Sequence, residues 1–249
     1  MQTRSEMTQT VDILGFPIAN LDMQEAVAEA AALLARNRPS RIVTANAEIL
    51  YHAYRDTTLG ALLQDADCIV PDGIGVVKAA AKLGTPIKTR VAGIDLMTAL
   101  AAWAAAHGRS IYLLGAERAS VEGTVSALLG RYPALKIVGW HDGYFDETEK
   151  AGILQEIGTT KPDFLFVGMG FPASDLFFVQ HVDQLPVGLM MGVGGSFDVL
   201  SGRVSRAPAW IQRMHLEWAF RFAQNPKRLK RIGALPGFLL EVGRYKKQR

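Results

Sequence analysis

Short apolar runs recur along the first two hundred positions, each followed by a longer segment whose apolar residues return with helical period. The runs at 11–15, 41–45, 67–70, 110–115, 135–140, 163–168 and 187–192 read as strands. Strands that alternate with helices in this way build an α/β fold, a Rossmann-like, largely parallel sheet flanked by helices. Asp22 is placed to cap a helix over 23–36, and Asp95 one over 96–107, whose alanine-rich sequence propagates helix well. Gly108 is placed to end the second. After Gly192 the alternation stops. A helical stretch over 207–222, the pair Asn225-Pro226 and a basic segment interrupted by Pro236 follow. The pattern divides the chain into an α/β core, 1–202, and a basic amphipathic helical appendage, 203–249. A chain ended near 202 is expected to fold.

Charge sharpens that division. Residues 203–249 hold 12 Lys or Arg against 2 acids, Glu217 and Glu241, whereas the first 202 residues hold 15 basic and 22 acidic groups. The net values are +10 and −7, so one end of the chain is built to meet an anionic surface or polymer. Trp210, Trp218, Phe220, Phe222, Leu229 and Phe238 interleave with the basic residues there. Cationic segments with aromatics adhere to anionic bilayer surfaces, although a charged, solvated tail is the plainer reading. No stretch reaches the roughly 18 apolar residues of a spanning helix, and the first ten residues are polar. The expectation is a cytoplasmic protein, peripheral on the inner face of the membrane. The lone cysteine, Cys68, opens an apolar run, which reads as a buried small hydrophobe in a reducing compartment.

Ligands of doubly wound sheets sit beyond the carboxyl ends of the strands. Four strand ends here are polar or glycine-rich: Thr44-Ala45-Asn46, Pro71-Asp72-Gly73-Ile74-Gly75, Gly168-Met169-Gly170-Phe171-Pro172 and Gly192-Val193-Gly194-Gly195-Ser196. Glycine lets backbone approach a phosphate, and helix N-termini favour anions, but none of the four is a complete phosphate-binding motif. Asp72 is the carboxylate best placed for chemistry, while Pro-Asp-Gly also makes a good turn. Asp65-Ala66-Asp67 precedes its strand and reads as a solvated helix end rather than a metal site. The five histidines lie far apart, without metal-ligand spacing, and no metal or other cofactor is expected. Arg90, just ahead of a helix, suits a diphosphate or a surface ion pair equally. Two functions of different class remain at this point: an enzyme acting on a nucleotide-linked substrate, and a non-catalytic nucleotide- or nucleic-acid-binding module that uses the basic end.

The motifs taken together are more specific than any alone. Thr44-Ala45-Asn46-Ala47-Glu48, Val70-Pro71-Asp72-Gly73-Ile74-Gly75-Val76, Arg90-Val91-Ala92-Gly93-Ile94-Asp95-Leu96-Met97, Gly192-Val193-Gly194-Gly195-Ser196-Phe197-Asp198, Arg206-Ala207-Pro208-Ala209-Trp210 and Leu216-Glu217-Trp218 occur in fixed order. In this the chain resembles the WecG/TagA/CpsF glycosyltransferases, over about 11–232. The resemblance implies an inverting, metal-independent hexosyltransferase that moves a sugar from a UDP-sugar onto a polyprenyl-diphosphate-linked sugar for a cell-surface polysaccharide. It implies Asp72 as catalytic base, and Thr44, Asn46 and Arg90 as pocket residues. Backbone at Gly73, Gly170 and Gly194 would face the donor. The appendage would pack onto an anionic membrane surface and bring Arg221, Arg228 and Arg231 to the site. Nucleic acid is not an expected partner, and a homo-oligomer is left open. One departure stands out. Where the family carries Lys-Gln-Glu, this chain has Ala173-Ser174-Asp175, so Ser174 replaces a pocket-lining glutamine with a side chain of shorter reach.

Overall fold

The structure, a computed structural model, describes residues 8–208, 210, 211, 214, 217, 219, 220 and 234–248. It opens with an antiparallel hairpin, β1 (Thr10–Ile13) and β2 (Phe16–Ala19), in which Ile13 pairs with Phe16. Where one strand was expected over 11–15, the chain reverses at Leu14-Gly15. Both turn residues have positive φ, 56° and 83°, the handedness that matches hairpin twist. Pro17 masks the second strand in the sequence, and a two-stranded ribbon tolerates it because both its strands are edges.

Then follow α1 (Met23–Leu34), β3 (Ser40–Ala45), α2 (Ala47–Arg55), α3 (Thr57–Gln64), β4 (Cys68–Pro71), α4 (Ile74–Leu83), α5 (Gly93–Ala106), β5 (Ser110–Gly115), α6 (Arg118–Arg131), β6 (Lys136–His141), α7 (Glu147–Thr160), β7 (Phe164–Gly168), α8 (Ala173–His181), β8 (Leu189–Gly192) and α9 (Ser196–Leu200). Six strands form one parallel sheet in the order β4-β3-β8-β7-β5-β6. The fold is therefore α/β and Rossmann-like, as the alternation implies.

Local chemistry explains the helix starts. Asp22 and Glu25 form a reciprocal capping box on α1, and Asp146 and Glu149 do the same on α7. Asp95 does not cap α5. The helix begins two residues earlier, at Gly93, and Asp95 lies in its first turn. Gly108, at φ 65°, ends it as expected.

Helices cover both faces of the sheet. Ile42, Ile111, Leu113, Phe164, Phe166 and Met191 pack under α1, α5 and α6 on one face. On the other, Val43, Ala45 and Ile69 pack with the hairpin, α2 and α4, and Leu114, Leu165 and Val167 pack under α7 and α8. Within this second face Arg41, only 1% exposed, donates to Asp175 Oδ1 at 2.7 Å and to the Leu62 carbonyl at 2.5 Å. One guanidinium thus ties α8 and α3 to β3, and its full burial is affordable only with those partners.

The last helix, α10 (Ala234–Gln248), returns to this core. Phe238 and Val242 are fully buried in the cluster shared by the hairpin, α2 and α4, and Gly237 lies so close to the Tyr51 ring that a Cβ would stand 2.7 Å from it. Tyr245 donates to Asp12 of β1 at 2.6 Å. The change in composition at 202 is thus no boundary in packing. Among the described residues no helix is long and apolar enough to cross a membrane.

Candidate active site

The four polar strand ends lie side by side, because β4, β3, β8 and β7 are consecutive neighbours in the sheet. At the usual strand spacing they span roughly 14 Å. The chain leaves β3 toward β4 on one side, and from β8 enters α9, which packs on α6 toward the other. Diverging connections of this kind open a crevice at the carboxyl edge of the sheet.

Backbone bonds set the chemistry-bearing residues around that crevice. Ala45 pairs with Pro71, the Asp72 N–H donates to the Ala45 carbonyl at 2.9 Å, and the Val91 N–H donates to the Pro71 carbonyl at 2.8 Å. Thr44, Asn46, Asp72 and Arg90 are drawn together in this way from three chain segments, and all four are half-buried. A Cβ on Gly93 would lie 3.0 Å from Thr44 Oγ1, so the start of α5 rests on Thr44. Asn46 caps α2 through its side-chain oxygen, which accepts from the Ile49 N–H at 3.0 Å. The cap does not use its amide donors.

Gly73, Gly170 and Gly194 all have positive φ, and a Cβ on any of them would meet nothing within 4 Å. At three strand ends the backbone thus borders open space that a ligand can approach closely. Neither α4 nor α5 has a bond from an N-cap side chain, and both helices start at this same edge. Ser174 sits elsewhere. It is fully buried, its hydroxyl donating to the Val167 carbonyl at 3.1 Å and accepting from the Met169 N–H at 3.3 Å. It braces the turn that carries Gly170 and lines no opening, because a serine side chain ends at the backbone it supports. Asp175 is turned inward to Arg41.

Three charged residues join the site that local reading did not select. Arg90 donates through Nη1 to Glu217, and Arg206 makes a two-pronged pair with Asp95, both bonds at 2.7 Å. The bond to Glu217 holds the Arg90 guanidinium above its ordinary value against partial burial, and the charges of Glu217, Asp72 and Asp95 act in the same direction. For Arg206 the bond to Asp95 leads and Glu217 adds to it, while Arg90 opposes. Five side chains thus form one electrostatic cluster at the mouth of β3, β4 and α5. The signal that could have found Glu217 was its sign: it is one of two acids among the 14 charged residues of 203–249.

Arg221, Arg228 and Arg231 lie outside the described residues, as does much of the expected helix over 207–222. Asp65 and Asp67 serve the fold. Asp65 ends α3, and Asp67 accepts from the Arg41 N–H at 2.9 Å and pairs with Arg38 at 2.5 Å. Among the described residues no three His, Cys, Asp or Glu side chains are grouped to hold a metal. Cys68 is buried, as expected.

Comparison with known proteins points to one family. The model of the glycosyl transferase WecG/TagA/CpsF family matches residues 11–249. The N-acetylglucosaminyldiphosphoundecaprenol N-acetyl-beta-D-mannosaminyltransferase of Staphylococcus aureus strain MW2 is 36% identical over 243 residues, 97% of this chain and 95% of its own length. The protein of the same name from Bacillus spizizenii is 35% identical over 214 residues, 86% of this chain and 82% of its own.

Proposed function

The chain belongs to the WecG/TagA/CpsF glycosyltransferase family, and we propose that it transfers a hexosyl group from a UDP-sugar to a sugar carried on polyprenyl diphosphate, with inversion. Asp72 is the catalytic base. Its carboxylate takes the proton of the acceptor hydroxyl as that oxygen bonds to the anomeric carbon, and the bond from that carbon to the UDP oxygen breaks on the opposite face. UDP departs with the electron pair. Arg90, the uncapped starts of α4 and α5, and Arg221, Arg228 and Arg231 of the basic segment meet its charge. Thr44 and Asn46 orient the sugars, and Gly73, Gly170 and Gly194 let the backbone come close. The observation that carries this reading is the convergence of Thr44, Asn46, Asp72, Arg90 and three open glycines on four neighbouring strand ends.

The acceptor is lipid-linked, so the basic segment acts at an anionic membrane surface from the cytoplasmic side. α10 supports this. Its outward side carries Leu240, 57% exposed, with Leu239, Arg244 and Lys247, and with Lys82 of α4 these border a cleft of about 570 Å³. Apolar and cationic groups on one exposed stripe suit a bilayer interface.

The test is UDP release by the full chain on polyprenyl-diphosphate N-acetylglucosamine. UDP-N-acetylmannosamine comes first among several UDP-sugars, because the relatives' names carry these two sugars. Release that depends on the acceptor, with a new β-linked disaccharide lipid, is the expected result. Absence of acceptor-dependent release with every UDP-sugar would overturn the reading.

A further inference from the structure

Three helix starts close on Gly75. It is the second residue of α4, and a Cβ there would lie 3.2 Å from the Cβ of Ala47 and 3.4 Å from Cδ1 of Leu235. Ala47 is the first residue of α2, and Leu235 stands in the first turn of α10. α2 and α4 leave neighbouring strands, β3 and β4, whose last residues, Ala45 and Pro71, are paired. The residues just ahead of the contact are therefore Asn46 on one strand end and Asp72-Gly73 on the other.

α10 reaches this point as a well-anchored element. Leu235, Phe238, Val242 and Tyr245 follow at intervals of three, four and three residues, which places them on one stripe of the helix. Phe238 and Val242 are fully buried, Tyr245 donates to Asp12, and Gly237 lies against the Tyr51 ring of α2. At a rise of 1.5 Å per residue the stripe runs about 15 Å, from the hairpin to the catalytic edge, where Leu235 ends it. The start of α4 is built in the opposite way. It has no bond from an N-cap side chain, and its N-cap, Gly73, sits at φ 96°, a backbone that glycine enters and leaves freely. Packing from a rigid neighbour can fix such a start.

We propose that Leu235 is a positioning residue: by packing at Gly75 it fixes the start of α4 against the start of α2, and so sets Asp72 relative to Asn46. The proposal rests on the reading of Asp72 as the base and of Asn46 as a residue that orients the sugars. A base must stand within hydrogen-bond reach of the hydroxyl it deprotonates, and a misplacement of about 1 Å can cost a hundredfold in rate. Leu235 acts through α4 and not on the substrate. Its reach is also one-sided, because it meets the chain that leaves β3 and β4, whereas Gly194 and Gly170 follow β8 and β7. A shift of α4 thus disturbs the base more than the hold on UDP.

The experiment measures transfer by the full chain to a short-chain, water-soluble diphosphate-linked N-acetylglucosamine without vesicles, which keeps membrane binding out of the rate. Leu235→Ala should lower kcat about tenfold while UDP affinity, read by calorimetry, stays within about twofold of the parent. Val242→Ala is the control, fully buried on the same stripe about 10 Å farther from the site. It should lose more melting temperature than Leu235→Ala and yet keep kcat within about twofold. Leu235→Met, of similar volume, should restore turnover. Gly75→Ala puts a methyl into the same contact and should also lower kcat, and it carries the test should Leu235→Ala not fold. In the double variant Leu235→Ala makes room for that methyl, so the loss should be smaller than the product of the single losses. The proposal is refuted if Leu235→Ala loses no more kcat than Val242→Ala, if UDP affinity falls as far as kcat, or if the double loss equals the product. If Asp72→Asn turns over at the parental rate, the assignment of Asp72 fails instead, and the two failures are told apart.

Discussion

Asp72 is held by its own backbone, through the N–H bond to Ala45 and the Pro71–Val91 bond beside it, so its carboxylate can be altered without loosening the turn. Asp72→Asn is expected to retain the thermal transition of the parent and to cut transfer by a hundredfold or more, the scale of losing a general base. Near-parental turnover would return Asp72 to the role of a turn residue. Leaving-group charge is assigned to arginines and backbone N–H groups, so transfer should survive excess EDTA. Abolition by EDTA with rescue by Mn²⁺ or Mg²⁺ would overturn that assignment. Asp175 tests a different kind of charge. Asp175→Asn leaves buried Arg41 only the exposed Asp65, at 3.4 Å, as counter-ion, and a loss of about 3–5 kcal/mol is expected in denaturant unfolding. A loss under about 1 kcal/mol would mean that the Leu62 carbonyl and Asp65 suffice for Arg41. The polar residues at strand ends were legible because their signal is local: Thr44, Asn46 and Asp72 follow short apolar runs, and Arg90 precedes a helix. Glu217 and Arg206 were not, since their partners lie more than a hundred positions away and no local period links them.

The same division between local and distant cause runs through the elements. The strands of the main sheet are apolar on both sides, so their runs stood out, and the observed bounds differ from the expected ones by only a few residues. The hairpin was read as one strand because Pro17 interrupts the pattern, and α5 was started late because Asp95 looks like a cap but serves as the partner of Arg206. Where β5 and β7 end, the spacing leaves no room for a side chain. A Cβ on Gly115, at φ 125°, would stand 2.6 Å from the Gly168 backbone nitrogen. Gly115→Ala is therefore expected to cost about 2–5 kcal/mol, as strained backbone and overpacking combine, and to lower activity through the neighbouring turn that bears Gly170. An alanine variant as stable as the parent would show that these two strand ends can part freely.

Across the whole molecule, function and packing divide the chain differently. Composition separates 203–249 from the rest, and its basic residues are assigned to the membrane and the diphosphate. Yet α10 buries Phe238 and Val242 against α2 and α4. Ending the chain after Gly202 is accordingly expected to lower the melting temperature by roughly 10 °C or more, from the lost burial of these two side chains alone. It is expected as well to abolish binding to vesicles of anionic lipid. Calorimetry and co-sedimentation check the two halves, and an unchanged melting temperature would show that the core is indifferent to α10. Amphipathicity alone did not disclose that α10 belongs to the core, because a helix with one apolar stripe can place it on protein or on lipid.

That shared cluster has a consequence in time. The hairpin is made among the first twenty residues of the sequence, α2 and α4 by residue 83, and Phe238 and Val242 only about 155 residues later. At ribosomal rates of about 5–20 residues per second, roughly eight to thirty seconds separate the two. Throughout that interval the nascent chain carries an apolar face on α2 and α4 whose cover does not yet exist. In that interval the nascent chain exposes the kind of apolar surface that holding chaperones recognise, until α10 is made and covers it.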